Sequence, residues 1–147
     1  MTRIFAFVLS ALIPFSAGAQ NAPESTVIAV IKPAENRDLS EFLWINRPII
    51  VFADNAADPR FIQQMDLLRD GLDVLGNRDV VILTDTDPAA RSPIRLKLRP
   101  RGFSMVLIGK DGGVKLRKPH PWSVREITRS IDKFPDRLRE VEDRRVK

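Results

Sequence analysis

Two groups of residues in this sequence have the types and spacing to do chemistry. The aspartates Asp54, Asp58, Asp85 and Asp87 recur just after apolar runs, and the arginines Arg47 and Arg101 flank such runs. Clustered carboxylates suit a hard cation such as Ca²⁺ or Mg²⁺. An arginine among them suits an anion instead, through its planar fork of donors. Other chemistries meet obstacles. The chain of 147 residues contains no cysteine, which excludes peroxidase, disulfide-exchange and thiol-transfer activities, because each needs a thiolate nucleophile. The one histidine, His120, lies between Pro119 and Pro121 with no serine evidently paired to it, so a hydroxyl nucleophile lacks its base. Zinc is disfavoured for the same shortage of Cys and His ligands. No catalytic residue and no cofactor is assigned on these grounds, and whether the aspartates hold a metal stays open.

Several elements must position these residues. Ile49 to Ala53 is a continuous apolar run of strand length, as expected of a central strand covered on both faces. Asp58 followed by Pro59 reads as a helix N-cap with proline in the first turn. Phe61, Ile62, Met65, Leu68, Leu72 and Leu75 then keep helical spacing, and Gly76 is expected to close one long helix. Val80 to Leu83 is a second buried strand, which makes a parallel crossover with the first. After a short link, Phe103 to Ile108 and Val114 to Arg117 form a hairpin around Lys110-Asp111-Gly112-Gly113. Ser123 and Glu126 form a capping box for a last helix carrying Val124, Ile127, Ile131 and Phe134. Pro135 ends or kinks it, ahead of a charged tail. In this arrangement Asp54 and Asp85 end adjacent parallel strands, and the antiparallel third strand starts at the same rim with Arg101. Ligands of open α/β sheets generally bind at that rim. Trp44 is expected to anchor the core, and Arg47 to tie a helix to the first strand or to meet a partner.

The chain divides into four parts. Arg3, the apolar stretch Ile4 to Ile13 and the small residues Ala17-Gly18-Ala19 read as a signal peptide over residues 1–19, cleaved after Ala19. The apolar stretch falls short of the roughly 20 residues of a membrane-spanning helix. Residues 20–36 form an N-terminal arm with an edge strand from Thr26 to Ile31, residues 37–142 the domain, and residues 143–147 a basic tail. The expected location is periplasmic or secreted.

The segments Leu39-Ser40-Glu41-Phe42-Leu43-Trp44-Ile45-Asn46-Arg47-Pro48, Val51-Phe52-Ala53, Gly102-Phe103, Leu107 to Leu116 and Ile131 to Arg137 together resemble a bacterial family of domains of unknown function, DUF4174. Its relatives, the P-DUDES domains of animal extracellular-matrix proteins, are peroxiredoxin-like in fold. The resemblance spans residues 37 to 142. It implies an α/β, thioredoxin-like three-layer sandwich with a mixed sheet of four to five strands, and it implies no reaction. Arg101-Gly102-Phe103 also resembles the peroxiredoxin strand that carries an active-site arginine. The positions matching the peroxidatic cysteine, Asp54 to Asp58, hold no cysteine, serine or threonine.

A net charge of +5 favours anionic partners. Bases are dense from Arg91 to Arg101, with Lys115, Arg117 and Lys118 near the hairpin. No aromatic residues are interleaved with them, so nucleic acid finds no stacking platform. The leading expectation is a non-catalytic binding module for an anionic glycan, lipid or envelope protein, with Arg47, Asp54, Asp58, Asp85 and Arg101 as candidate ligand-binding residues. The alternatives are a cysteine-independent, metal-assisted hydrolase and a structural envelope protein acting through protein contacts.

Overall fold

The computed structural model describes residues 27–147; the signal-peptide reading and the first part of the N-terminal arm lie outside them. Five strands form one mixed sheet in the order β1-β3-β2-β4-β5, with β1 at Val30–Pro33, β2 at Arg47–Phe52, β3 at Val80–Asp85, β4 at Ser104–Ile108 and β5 at Val114–Lys118. The first three run parallel, and β4 pairs antiparallel with β2 and β5. Every residue of β2 and β4 is buried, the apolar runs Ile49 to Phe52 and Met105 to Ile108 together with Arg47 and Ser104 at the strand starts. Pro48 is tolerated inside β2 for a local reason. Arg47 donates its N–H to the Asp79 carbonyl on the β3 side, so the next backbone nitrogen faces β4, where pairing begins only at Ile49. Proline therefore removes a donor that the ladder does not use.

Alternation along the strands divides the core in two. Ile49, Val51, Ile82, Met105 and Leu107 pack beneath α1 (Pro59–Arg69), α2 (Leu72–Gly76) and α4 (Val124–Ile131). Ile50, Phe52, Leu83, Val106 and Ile108 pack on the other face, against Leu39 and Phe42 of a 3-10 turn and Ile94 and Leu98 of α3 (Pro93–Leu98). A fifth helix, α5 (Pro135–Arg145), closes one end of the sheet. The charged segment after Pro135 is thus helical.

Three local expectations are corrected. The single helix expected from Pro59 to Leu75 is two helices, broken at Asp70 and Gly71. A Cβ at Gly71 would stand 2.8 Å from both methyl groups of Val124, so α4 packs into the break. Gly76 is the last residue of α2 rather than a left-handed cap. It is required there because a Cβ would meet the Val27 carbonyl oxygen at 2.1 Å. Trp44 is not a core anchor. It is 72% exposed and adopts a left-handed conformation at φ 62°, with its N–H bonded to the Lys110 carbonyl at 2.8 Å. The link before β4 contains α3, capped by the Ser92 hydroxyl and opened by Pro93.

Candidate functional site

β2 and β3 end and β4 begins at one rim of the sheet, along which Asp54, Asp85 and Arg101 lie, but its carboxylates are largely committed to structure. Asp85 is buried. Its Oδ2 accepts from the Ser92 hydroxyl at 2.5 Å, and its Oδ1 accepts from Nε and Nη2 of Arg95 at 3.0 and 2.8 Å. Arg95 also donates to the carbonyls of Ala53 and Asp85 and stacks over Phe52. Asp58 caps α1 by accepting from the Arg60 N–H at 2.9 Å. The side-chain and backbone hydrogen bonds of Arg60 hold the Asp58 carboxyl below its ordinary pKa. Asp87 likewise caps the short turn that follows β3, and Asp54 is exposed. Among the described residues no three His, Asp or Glu side chains stand together as a metal ion would require. The four aspartates do not group, because Asp58, Asp85 and Asp87 each answer a different local donor and Asp54 is exposed.

Arg47 lies at the opposite end of β2 and is fully buried. Its guanidinium donates to Asp136 at 2.5 Å, to both oxygens of Glu140 at 3.0 and 3.3 Å, and to the Arg78 carbonyl at 2.9 Å. Lys110 joins the same cluster, bonding Glu140 at 2.7 Å and Asp79 at 2.8 Å. Burial works against ionisation of Glu140, but the hydrogen bonds and charges of Arg47 and Lys110 overcome it and lower its pKa to about 2. Arg47 fastens α5 to the sheet and offers no donor to a ligand at the rim. Beside this cluster, Arg78 grips Asp132 through two bonds of 2.8 Å, which keep that carboxyl ionised below its usual range.

With the carboxylates accounted for, the rim divides by charge. On the β1–β3 side a cleft of about 320 Å³ is walled by Glu35, Asp85 and Asp87. On the β4–β5 side a cavity of about 410 Å³ is walled by Arg99, Arg101 and Arg117, with Leu98, Phe103, Ser104 and Pro119 completing it. None of these three arginines has a carboxylate partner among the described residues, whereas Arg47, Arg60, Arg78, Arg95 and Arg137 all do. Three uncompensated guanidiniums around one cavity form an anion-attracting surface. A depression of similar volume along α1, lined by Pro59, Ile62, Gln63 and Leu67, is flanked by Asp66 and Asp70.

Of the residues singled out in the sequence, only Arg101 lines this basic cavity. Arg117 stands among the bases near the hairpin, and Arg99 in the basic run before β4. What sequence reasoning missed is Arg95, whose position in that run suggested a solvated charge. The Ser92-Pro93 pair is a helix-start signal, and it would have placed Arg95 on the same turn as Ile94 and Leu98. Also missed is Gln64, fully buried on α1, which bonds the Trp122 backbone N–H and carbonyl, each at 2.8 Å.

A family model described as a domain of unknown function (DUF4174) matches residues 38–140. No curated protein matches the chain. Among solved structures, a reduced 2-Cys peroxiredoxin of Plasmodium vivax is similar with a TM-score of 0.54 at 16% identity, over 71% of this chain and 84% of that one. Prx1a of Plasmodium yoelii, modified at its N-terminus, is similar with a TM-score of 0.50 at 19% identity, over 71% and 80%. The fold is therefore thioredoxin-like and of the peroxiredoxin type, a mixed five-stranded sheet between helices, built without cysteine.

Proposed function

We propose, from the premise that the chain belongs to the DUF4174 family of domains of unknown function, that it is an exported, non-catalytic binding domain for an anionic ligand. The observation that carries this reading is the cavity of about 410 Å³ bounded by three arginines without carboxylate partners. A guanidinium forks two donors toward one oxyanion and stays charged at any physiological pH. The segment from Arg3 to Ala19 supports export, and the absence of cysteine removes the chemistry that this fold performs elsewhere through a thiolate.

Calorimetric titration of the purified protein with small organic anions tests the binding reading. Saturable heat is expected, and it should fall when Arg101 is replaced by alanine. No heat with any anion overturns it. Fractionation of cells producing the protein tests export: recovery of a shortened chain outside the cytoplasm is expected, and a full-length cytoplasmic product overturns it.

The metal-assisted hydrolase draws no support from the geometry, since Asp85 is held by Ser92 and Arg95 and no three His, Asp or Glu side chains group among the described residues to share an ion. A role in protein contacts has one observation in its favour, the exposure of the consecutive residues Leu43, Trp44 and Ile45. A Trp44→Ala variant that binds anions normally yet fails to complement a deletion strain would favour that second reading.

A further inference from the structure

The walls of the arginine cavity narrow the kind of anion it takes. Val106 pairs with Arg117 across the antiparallel β4–β5 ladder, so both side chains leave the sheet on one face, and Ser104, two residues earlier, shares that face. It is the face that α3 covers, through Ile94 and Leu98. Arg117 and Ser104 thus approach from the sheet, Arg101 from the segment before β4, and Arg99 from the end of α3. There Arg99 is held left-handed at φ 48° while its N–H bonds the Arg95 carbonyl. Ser104 is only 5% exposed. It lines the cavity, and its hydroxyl keeps access to solvent rather than being sealed without a partner, so it is available to a ligand.

We infer that this cavity binds the phosphate monoester of a small organic molecule, an inference that rests on the anion-binding reading above. A single carboxylate would leave most of the repulsion among three guanidiniums uncompensated. A phosphate monoester carries close to two charges and three strong acceptor oxygens, enough to face Arg99, Arg101 and Arg117 together and still accept from Ser104. The C-terminal dipole of α3 opposes an anion, but with about half an elementary charge against three full ones. The volume of about 410 Å³ exceeds what a bare anion fills and lies in the range of about 300–1,000 Å³ typical of organic ligands. The organic body lies against the apolar wall of Leu98 and Pro119.

The test is calorimetric titration of the purified protein at neutral pH with phenyl phosphate, phenyl sulfate, benzoate and inorganic phosphate. Phenyl phosphate is expected to bind at least about tenfold more tightly than the other three, a margin that one charge-assisted hydrogen bond can supply. Arg101→Ala and Arg117→Ala, both at exposed positions, should each weaken it about tenfold or more with the melting temperature unchanged. Ser104→Ala should weaken it less. Equal binding of benzoate or phenyl sulfate overturns the phosphate assignment and leaves the anion-binding reading standing. Equal binding of inorganic phosphate overturns the organic body in the same way. Binding that survives both arginine substitutions, or no binding of any of the four, overturns both.

Discussion

Arg95 joins the ends of two parallel strands through Asp85. One nitrogen, Nη2, reaches the Asp85 carboxylate at 2.8 Å, the Asp85 carbonyl at 3.1 Å and the Ala53 carbonyl at 3.0 Å. At the rim where open α/β sheets generally bind ligands, this fold has a buried ion pair that pins β2 to β3. Arg95→Ala should cost about 3–5 kcal/mol, since it strands a buried carboxylate without its counter-charge. Urea denaturation followed by circular dichroism measures the loss. An unchanged midpoint would show that the pair has no structural weight.

Stability should depend on acid through Glu140. Its pKa falls from 4.5 to about 2 in the folded state, so folding favours the ionised form. The stabilisation is present above the unfolded pKa of about 4.5 and is lost as pH falls from there toward 2. Its size is on the order of 2 kcal/mol after allowance for partial exposure. Glu140→Gln should lower the stability at pH 7 and flatten its decline between pH 5 and 2, read from urea midpoints across that range.

Trp44→Gly should leave stability unchanged or raise it by up to about 1 kcal/mol, because glycine adopts a positive φ without the steric cost that tryptophan bears. A thermal melt decides this. A drop of several degrees would mean that the indole packs against something after all.

Gln64→Leu should destabilise by about 2 kcal/mol or more, since the Trp122 N–H and carbonyl both lose their partner where α1 meets the loop before α4. Amide exchange at Trp122 should speed up in the variant beyond the change at distant amides. Uniform acceleration across the protein would indicate global loosening instead.

Most of the fold was legible in the chain because its signals are local. The apolar run Ile49 to Ala53, the Asp58-Pro59 cap and the Ser123–Glu126 capping box each announce an element from neighbouring residues alone. The break at Gly71 was not legible, since its reason is a valine on another helix. Trp44 departs from its sequence expectation because a large apolar side chain ordinarily seeks the core, and only the bond to Lys110 reveals that the backbone turns it outward. The candidate site was read in part. Arg101 is on the rim and lines the cavity, but whether a charge is free or spent depends on partners distant in sequence. Asp85 and Arg95 are ten residues apart, within reach of inspection; Arg47 and Glu140 are not.

The distance between Arg47 and the helix that neutralises it governs when this fold can be finished. Arg47 opens β2, yet the carboxylates that satisfy it come 89 and 93 residues later, in α5. A chain growing from the ribosome presents that arginine early and must leave it in water until α5 has followed. The first strand of the central crossover therefore cannot be sealed into a closed core ahead of the remainder. For a protein proposed to cross a membrane as an extended thread, such lateness keeps the polypeptide open until α5 has been made.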